Sequence, residues 1–135
     1  MALRVGGFHP PPAGVVHFGY PDPEEMLELT PHPEYFWHLP TRMEGVNSAG
    51  FLTPEFVIPK PPGTWRMMFL GDSCVYQGYP VDVAEVLSRA LPTRRSYDAI
   101  NLGIPGYSSY QGHRIAERWA EALEPDVGVV NFGWN

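Results

Sequence analysis

Three short motifs in the second half of the chain combine a hydroxyl, flexible glycines and a side-chain amide. They are Gly71-Asp72-Ser73, the run from Asn101 to Gly106, and Gly133-Trp134-Asn135. A serine on a sharp turn between a strand and a helix exposes its hydroxyl as a nucleophile, and nearby N–H groups stabilise the oxyanion that its attack generates. Each motif is weak by itself because these residue types are common. Together they indicate covalent catalysis on an acyl carbon, with Ser73 as the candidate nucleophile and Asp72 hydrogen-bonding the turn.

Each of these motifs follows an apolar run that we predict to be a strand. The runs cover residues 66–70, 97–102 and 127–132, and apolar residues recur at helical spacing between them, around 83–91 and 115–123. This β-α-β-α-β order predicts an α/β fold with a parallel sheet and right-handed crossovers. Ligands of such sheets bind at the carboxyl ends of the strands. We therefore expect the three motifs to lie at a site there.

Proline divides the chain into two unlike parts. Twelve of the 16 prolines fall in residues 1–64 and four in residues 65–135. Because proline ends helices, residues 1–64 are predicted to be an extended, proline-rich segment. Aromatic and branched residues at 35–37 and 51–58 favour short strands, or apolar packing on a neighbouring core. Residues 65–135 are predicted to form the α/β domain.

The overall composition excludes several classes of partner. The net charge is −6 and no basic stripe occurs, which argues against nucleic-acid binding. No apolar run approaches the roughly 18 residues of a membrane span, and no signal peptide is visible, so localisation stays open. The single cysteine, Cys74, provides no disulfide or zinc framework and is expected to be a small packed side chain. His32 and His38 with Glu34 fit no metal geometry, so no metal site is predicted.

In this order the three motifs resemble the SGNH, or GDSL-type, ester hydrolases. The blocks of that family are Gly-Asp-Ser after a strand, an Asn-x-Gly-x-x-Gly loop, and Gly-x-Asn. Here 33 residues separate Ser73 from Gly106 and 29 separate Gly106 from Asn135, close to the roughly 30 residues of one βαβ unit. A looser resemblance extends to residues 42–55, although Leu52 stands where the family usually has an arginine.

The resemblance implies a flavodoxin-like, three-layer fold and a serine ester hydrolase that acts on a small-molecule or carbohydrate ester without a cofactor. Ser73 would be the nucleophile. Its backbone N–H, that of Gly106 and the side-chain amide of Asn135 would form the oxyanion hole. Tyr76 and Tyr107 flank the first two motifs and are candidates for lining the substrate cleft, although exposed loop aromatics are common.

The general base of this family is a histidine in an Asp-x-x-His block, which the sequence does not contain. His113 lies on the second helix, set back from the strand ends, and is not expected to replace it. We therefore expect these 135 residues to be the front part of a longer hydrolase, inactive by themselves. Two alternatives stay open. An O-acyltransferase would use the same residues with a sugar hydroxyl in place of water, and a non-catalytic binding module would need no base.

Overall fold

The computed structural model describes residues 29–91 and 95–133 of the chain. In chain order its elements are β1 (Thr30–His32), β2 (Phe36–His38), β3 (Thr64–Gly71), α1 (Ser73–Tyr76), α2 (Tyr79–Ala90), β4 (Ser96–Gly103), α3 (Ser109–Leu123) and β5 (Val127–Asn131). The predicted α/β class with a parallel sheet is confirmed. No helix within the described ranges is long and apolar enough to cross a membrane.

The three-stranded sheet has β3 at its centre, with β4 on one side and β5 on the other, both parallel to it. The register places Gly71 opposite Gly103 of β4 and opposite Asn131 of β5. The three strands therefore end at the same level. As a result, the residues that follow each strand come together along one edge of the sheet.

Apolar side chains of β3 alternate between the two faces of the sheet. Met67 and Phe69 belong to a cluster that includes side chains of α2, whereas Met68 and Leu70 pack in a larger cluster that includes side chains of α3. Because both faces are covered, residues 66–71 of β3 are all buried, which explains the apolar run that marked the strand in the sequence.

Residues from the amino-terminal segment complete the larger cluster. Strands β1 and β2 form an antiparallel hairpin, and the buried side chains of Tyr35, Leu39 and Phe51 pack in the same cluster as Met68. Residues 51–58 form no strand; an isolated bridge at Leu52 is their one β pairing within the described ranges. The amino-terminal segment therefore packs in the same core as the sheet, on the face that α3 also covers.

A buried arginine links four parts of the fold. The Arg66 side chain is 1% exposed, and its Nε donates to Asp98 Oδ2 of β4 at 2.7 Å. Its Nη1 donates to the carbonyl of Leu123, at the end of α3, at 2.9 Å, and its Nη2 donates to the carbonyl of Val57 at 3.1 Å. The guanidinium thus joins β3 to a strand, a helix and the amino-terminal segment.

Replacing this arginine with leucine is expected to lower the free energy of unfolding by about 3 kcal/mol, because Asp98 and two carbonyls lose a charged donor. Arg89→Leu is the matched control, since the ion pair of Arg89 with Glu85 is exposed and such pairs contribute less than about 1 kcal/mol. Urea denaturation measures both. Equal losses in Arg66→Leu and Arg89→Leu would contradict the role given to Arg66.

Candidate active site at the strand ends

Ser73 is the first residue of α1, directly after the end of β3. The carboxylate of Asp72 caps this helix, because its Oδ1 accepts a hydrogen bond from the Cys74 N–H at 2.8 Å. This is the turn-bonding role that the sequence predicted for Asp72. The Ser73 side chain is partly exposed, and within residues 29–91 and 95–133 its hydroxyl has no hydrogen-bond partner. Part of Ser73 is therefore open to solvent.

Two glycines let α1 lie directly on the strand ends. The fully buried side chain of Val75 packs against both. A Cβ on Gly71 would lie 2.2 Å from Val75 Cγ2, and one on Gly103 would lie 2.6 Å from the backbone nitrogen of Tyr76. Neither distance allows a side chain. These glycines therefore set how closely the helix that carries Ser73 approaches the sheet.

The second carboxylate oxygen of Asp72 connects the first motif to the third. Asp72 Oδ2 accepts a hydrogen bond from the Gly133 N–H at 2.7 Å. Burial disfavours the charged carboxylate, but the hydrogen bonds from Gly133 and Cys74 outweigh it, so the pKa of Asp72 lies below its ordinary value. Asn135, the predicted third donor of the oxyanion hole, lies outside the described residues.

The second motif forms a turn beside the end of β3. The Ile104 N–H donates to the carbonyl of Gly71 at 3.2 Å, which fixes the start of the turn. Proline occupies its second position at Pro105, Gly106 follows with a φ of 81°, and the Tyr107 N–H donates to Ile104 O at 3.1 Å. These features define a type II β-turn, whose third position requires a residue that tolerates positive φ. Gly106 is exposed on the turn.

Of the two tyrosines predicted to line a cleft, Tyr107 is fully buried. Its hydroxyl donates a hydrogen bond to the carbonyl of Trp37, in β2. Burial raises the pKa of Tyr107 above its ordinary value. Its side chain therefore supports the turn rather than an open cleft. Tyr76 is partly buried and packs against the larger apolar cluster.

Cys74 is exposed, so the prediction that its side chain packs in the interior is wrong. The side chain follows the N-cap on a short helix whose one buried residue is Val75. The negative charge of Asp72 raises the pKa of the Cys74 thiol above its ordinary value. A thiolate is thereby disfavoured next to Ser73, which speaks against cysteine as the nucleophile.

The histidines of the described ranges have partners other than Ser73. His32 Nδ1 accepts from two backbone N–H groups of the hairpin, and His38 Nδ1 lies 2.7 Å from the carbonyl of Leu39. His113 is exposed on α3 and lies 3.4 Å from a carboxylate oxygen of Glu117. Across the part of the chain that the structure describes, no cluster of three His, Cys, Asp or Glu side chains can hold a metal ion.

A cavity of about 260 Å³ lies elsewhere, against the amino-terminal half of β4. It is lined by residues 53–57, by Val81 and Ala84, and by residues 97–100. Its two carboxylates already have partners, because Asp98 bonds to Arg66 and Glu55 accepts from Ser48. Both carboxylates of the cavity are therefore engaged in hydrogen bonds, and the candidate site remains at the strand ends.

The hairpin contributes one residue to this site that the sequence did not indicate. Trp37 Nε1 donates to the carbonyl of Pro105 at 3.3 Å. A Cβ on Gly106 would lie 3.3 Å from Trp37 Cζ2, so the indole lies against the turn. The aromatic run at 35–37 predicted packing on a core, but no local pattern shows which loop the hairpin contacts.

Comparisons with known proteins identify no relative: no protein-family model, no curated protein and no solved structure matches the chain. Two hydrogen bonds bring Ser73, Gly106 and Gly133 to one edge of the sheet. The Ile104 N–H donates to the Gly71 carbonyl, and the Gly133 N–H donates to Asp72, which directly precedes Ser73. A partly exposed serine hydroxyl beside such a turn can attack a carbonyl carbon, and backbone N–H groups can stabilise the charge that develops on the carbonyl oxygen.

Asp72→Asn is expected to lower the free energy of unfolding at neutral pH by about 1–2 kcal/mol, because one of the two N–H groups then faces an amide NH2. The folded-state pKa lies below the ordinary value of 3.8. The ionised carboxylate therefore stabilises the fold above that value, and this stabilisation is lost as the pH falls through the lower, folded-state pKa.

Denaturation of the wild type and of Asp72→Asn across acidic pH measures this effect as a difference, which removes the contributions of other carboxylates. The difference should be constant above about pH 5 and shrink below the ordinary value. Asp82→Asn, at an exposed position on α2, is the control. A difference for Asp72→Asn that does not vary with pH would contradict the assignment.

Gly103→Ala is expected to lower the free energy of unfolding by about 2 kcal/mol, because its Cβ would collide with the backbone of α1. Gly128→Ala is the matched control on β5. A Cβ there meets no atom within 4 Å, and the change should stay below about 0.5 kcal/mol. Thermal or urea unfolding distinguishes the two, and similar effects would show that α1 is not held by close approach.

Proposed function

We propose that the protein is a serine ester hydrolase of the SGNH type, with Ser73 as the nucleophile. The observation that carries the proposal is that the first two motifs and Gly133, the first residue of the third, meet at one edge of the sheet. Asp72 bonds both to the helix that begins at Ser73 and to Gly133, and the turn with Gly106 begins on the carbonyl of Gly71. The order of the motifs in the sequence and the proximity of Ser73, Gly106 and Gly133 in the fold both favour this assignment.

The strand order supports a flavodoxin-like fold. In the order β4-β3-β5, the first strand of the parallel sheet lies between the second and the third. Flavodoxin-like sheets begin with this order and bind their ligands between the first and third strands, where the strand order reverses. The hydrogen bond from Gly133 to Asp72 spans that place, and Ser73 follows directly. The candidate nucleophile thus occupies the position at which such sheets bind ligands.

In the proposed reaction, Ser73 Oγ forms a bond to the ester carbonyl carbon while its proton passes to a general base. The carbonyl oxygen becomes an oxyanion that accepts hydrogen bonds from the N–H groups of Ser73 and Gly106 and from the Asn135 amide. Collapse of this intermediate breaks the ester C–O bond, and the alcohol leaves with the proton. Water then attacks the acyl-serine by the same route and releases the acid.

The proposal requires a base outside the described residues. His32, His38 and His113 all have other partners, and in the family that the motifs resemble the base is a histidine of a separate Asp-x-x-His block. Within the described ranges, no histidine is hydrogen-bonded to the Ser73 hydroxyl. This observation favours a second candidate function, a non-catalytic module that binds an ester. The tests below therefore use the full-length product of the gene.

A fluorophosphonate probe should label the full-length protein, because the probe reacts with an activated serine hydroxyl. Ser73→Ala should abolish labelling and reduce the hydrolysis of p-nitrophenyl acetate by at least about a thousandfold. Cys74→Ala is the control at the adjacent exposed position and should keep both. Equal labelling of wild type and Ser73→Ala would refute the catalytic assignment. Binding of an ester without labelling or turnover would favour the binding module.

A further inference from the structure

The central peptide of the turn at residues 104–107 carries the N–H on which the proposed oxyanion hole depends. The bond from Tyr107 N–H to Ile104 O closes the turn but leaves the peptide between Pro105 and Gly106 outside it. Type I and type II turns differ by a flip of this central peptide, which reverses the direction of its carbonyl and its N–H together. Proline at the second position and glycine at the third favour the type II orientation, and a hydrogen bond from outside the turn can hold the peptide in it.

Among the described side chains, Trp37 makes the one hydrogen bond to this peptide. Its Nε1 donates to the carbonyl of Pro105 at 3.3 Å. The carbonyl and the N–H of a trans peptide point in opposite directions. Holding the Pro105 carbonyl on the indole therefore directs the Gly106 N–H away from Trp37. The ring also lies against Gly106, which leaves little room for the peptide to rotate.

The indole is itself fixed by the elements around it. The Tyr107 hydroxyl donates to the Trp37 carbonyl, and the two rings lie 5.6 Å apart. The neighbouring Phe36 stacks on Tyr110, at the start of α3, with ring centroids 5.7 Å apart. Phe36 has a φ of 71°, a strained value for a residue other than glycine, which the surrounding contacts must maintain. The hairpin is thus held on both sides of the turn.

We propose that Trp37 is a positioning residue for catalysis: it holds the peptide between Pro105 and Gly106 in the orientation that presents the Gly106 N–H to the substrate oxyanion. It acts through that peptide and touches no reacting atom. The inference rests on the proposed ester hydrolase function. It adds a residue from the amino-terminal hairpin, outside all three motifs, to the machinery of the site.

The test is Trp37→Phe in the full-length enzyme, which keeps an aromatic ring and removes the N–H. The kcat for p-nitrophenyl acetate should fall about tenfold, part of the 10²–10³ that losing an oxyanion donor costs, with KM unchanged. Affinity for a boronic acid, whose tetrahedral adduct places a negative oxygen in the hole, should fall by the same factor. Trp119→Phe, the same change in the same apolar cluster, should leave kcat within about twofold.

Replacing Trp37 with benzothienylalanine removes the N–H while keeping the bicyclic shape, and it decides the matter where Trp37→Phe fails to fold. A fall in kcat with this residue at an unchanged melting temperature supports the proposal. Wild-type kcat and boronic acid affinity with this residue would show that Trp37 only packs, and would overturn it. If Ser73→Ala stays active, the proposed function has failed as well. If Ser73→Ala is inactive and Trp37→Phe matches Trp119→Phe, only this inference fails.

Discussion

The close contact between α1 and the ends of β3 and β4 is the constraint on which the site depends. A helix of four residues has too few hydrogen bonds to hold itself, so its position must come from packing and from its cap. Val75 supplies the packing because Gly71 and Gly103 have no side chains to keep it away. Asp72 supplies the cap. Ser73 takes its place from these contacts rather than from the stability of its own helix.

The central strand is anchored by polar groups near both of its ends. Arg66 bonds to β4, to the end of α3 and to the amino-terminal segment, and Asp72 bonds to α1 and to the residues after β5. Hydrophobic burial between these ends stabilises the fold, but the hydrophobic effect is not directional and does not select particular partners. The hydrogen bonds of the two charged groups join particular atoms. They therefore help to determine which elements surround β3 and how its neighbours are aligned at the site.

Local patterns in the sequence predicted what depends on neighbours along the chain. Apolar runs located the strands of the sheet, and the order Gly-Asp-Ser predicted the capped turn that Asp72 forms. The same patterns misjudged Cys74, because a residue beside an N-cap can face either way, and they did not reveal that Tyr107 is buried. The partner of Tyr107 is 70 residues away in the hairpin. No local periodicity records such a contact.

The change in proline content at residue 64 is a boundary in composition but not in the core or at the site. Tyr35, Leu39 and Phe51 pack among the side chains of the sheet, and Trp37 bonds to the turn of the second motif across 68 residues. A segment rich in proline forms few helices and stays extended, so it can lie along a core that other elements have built. Its hairpin donates a hydrogen bond to the central peptide of the turn, which takes no part in the bond that closes the turn. By the positioning role proposed for Trp37, a residue of the amino-terminal segment thus helps to hold a donor of the α/β part in its orientation.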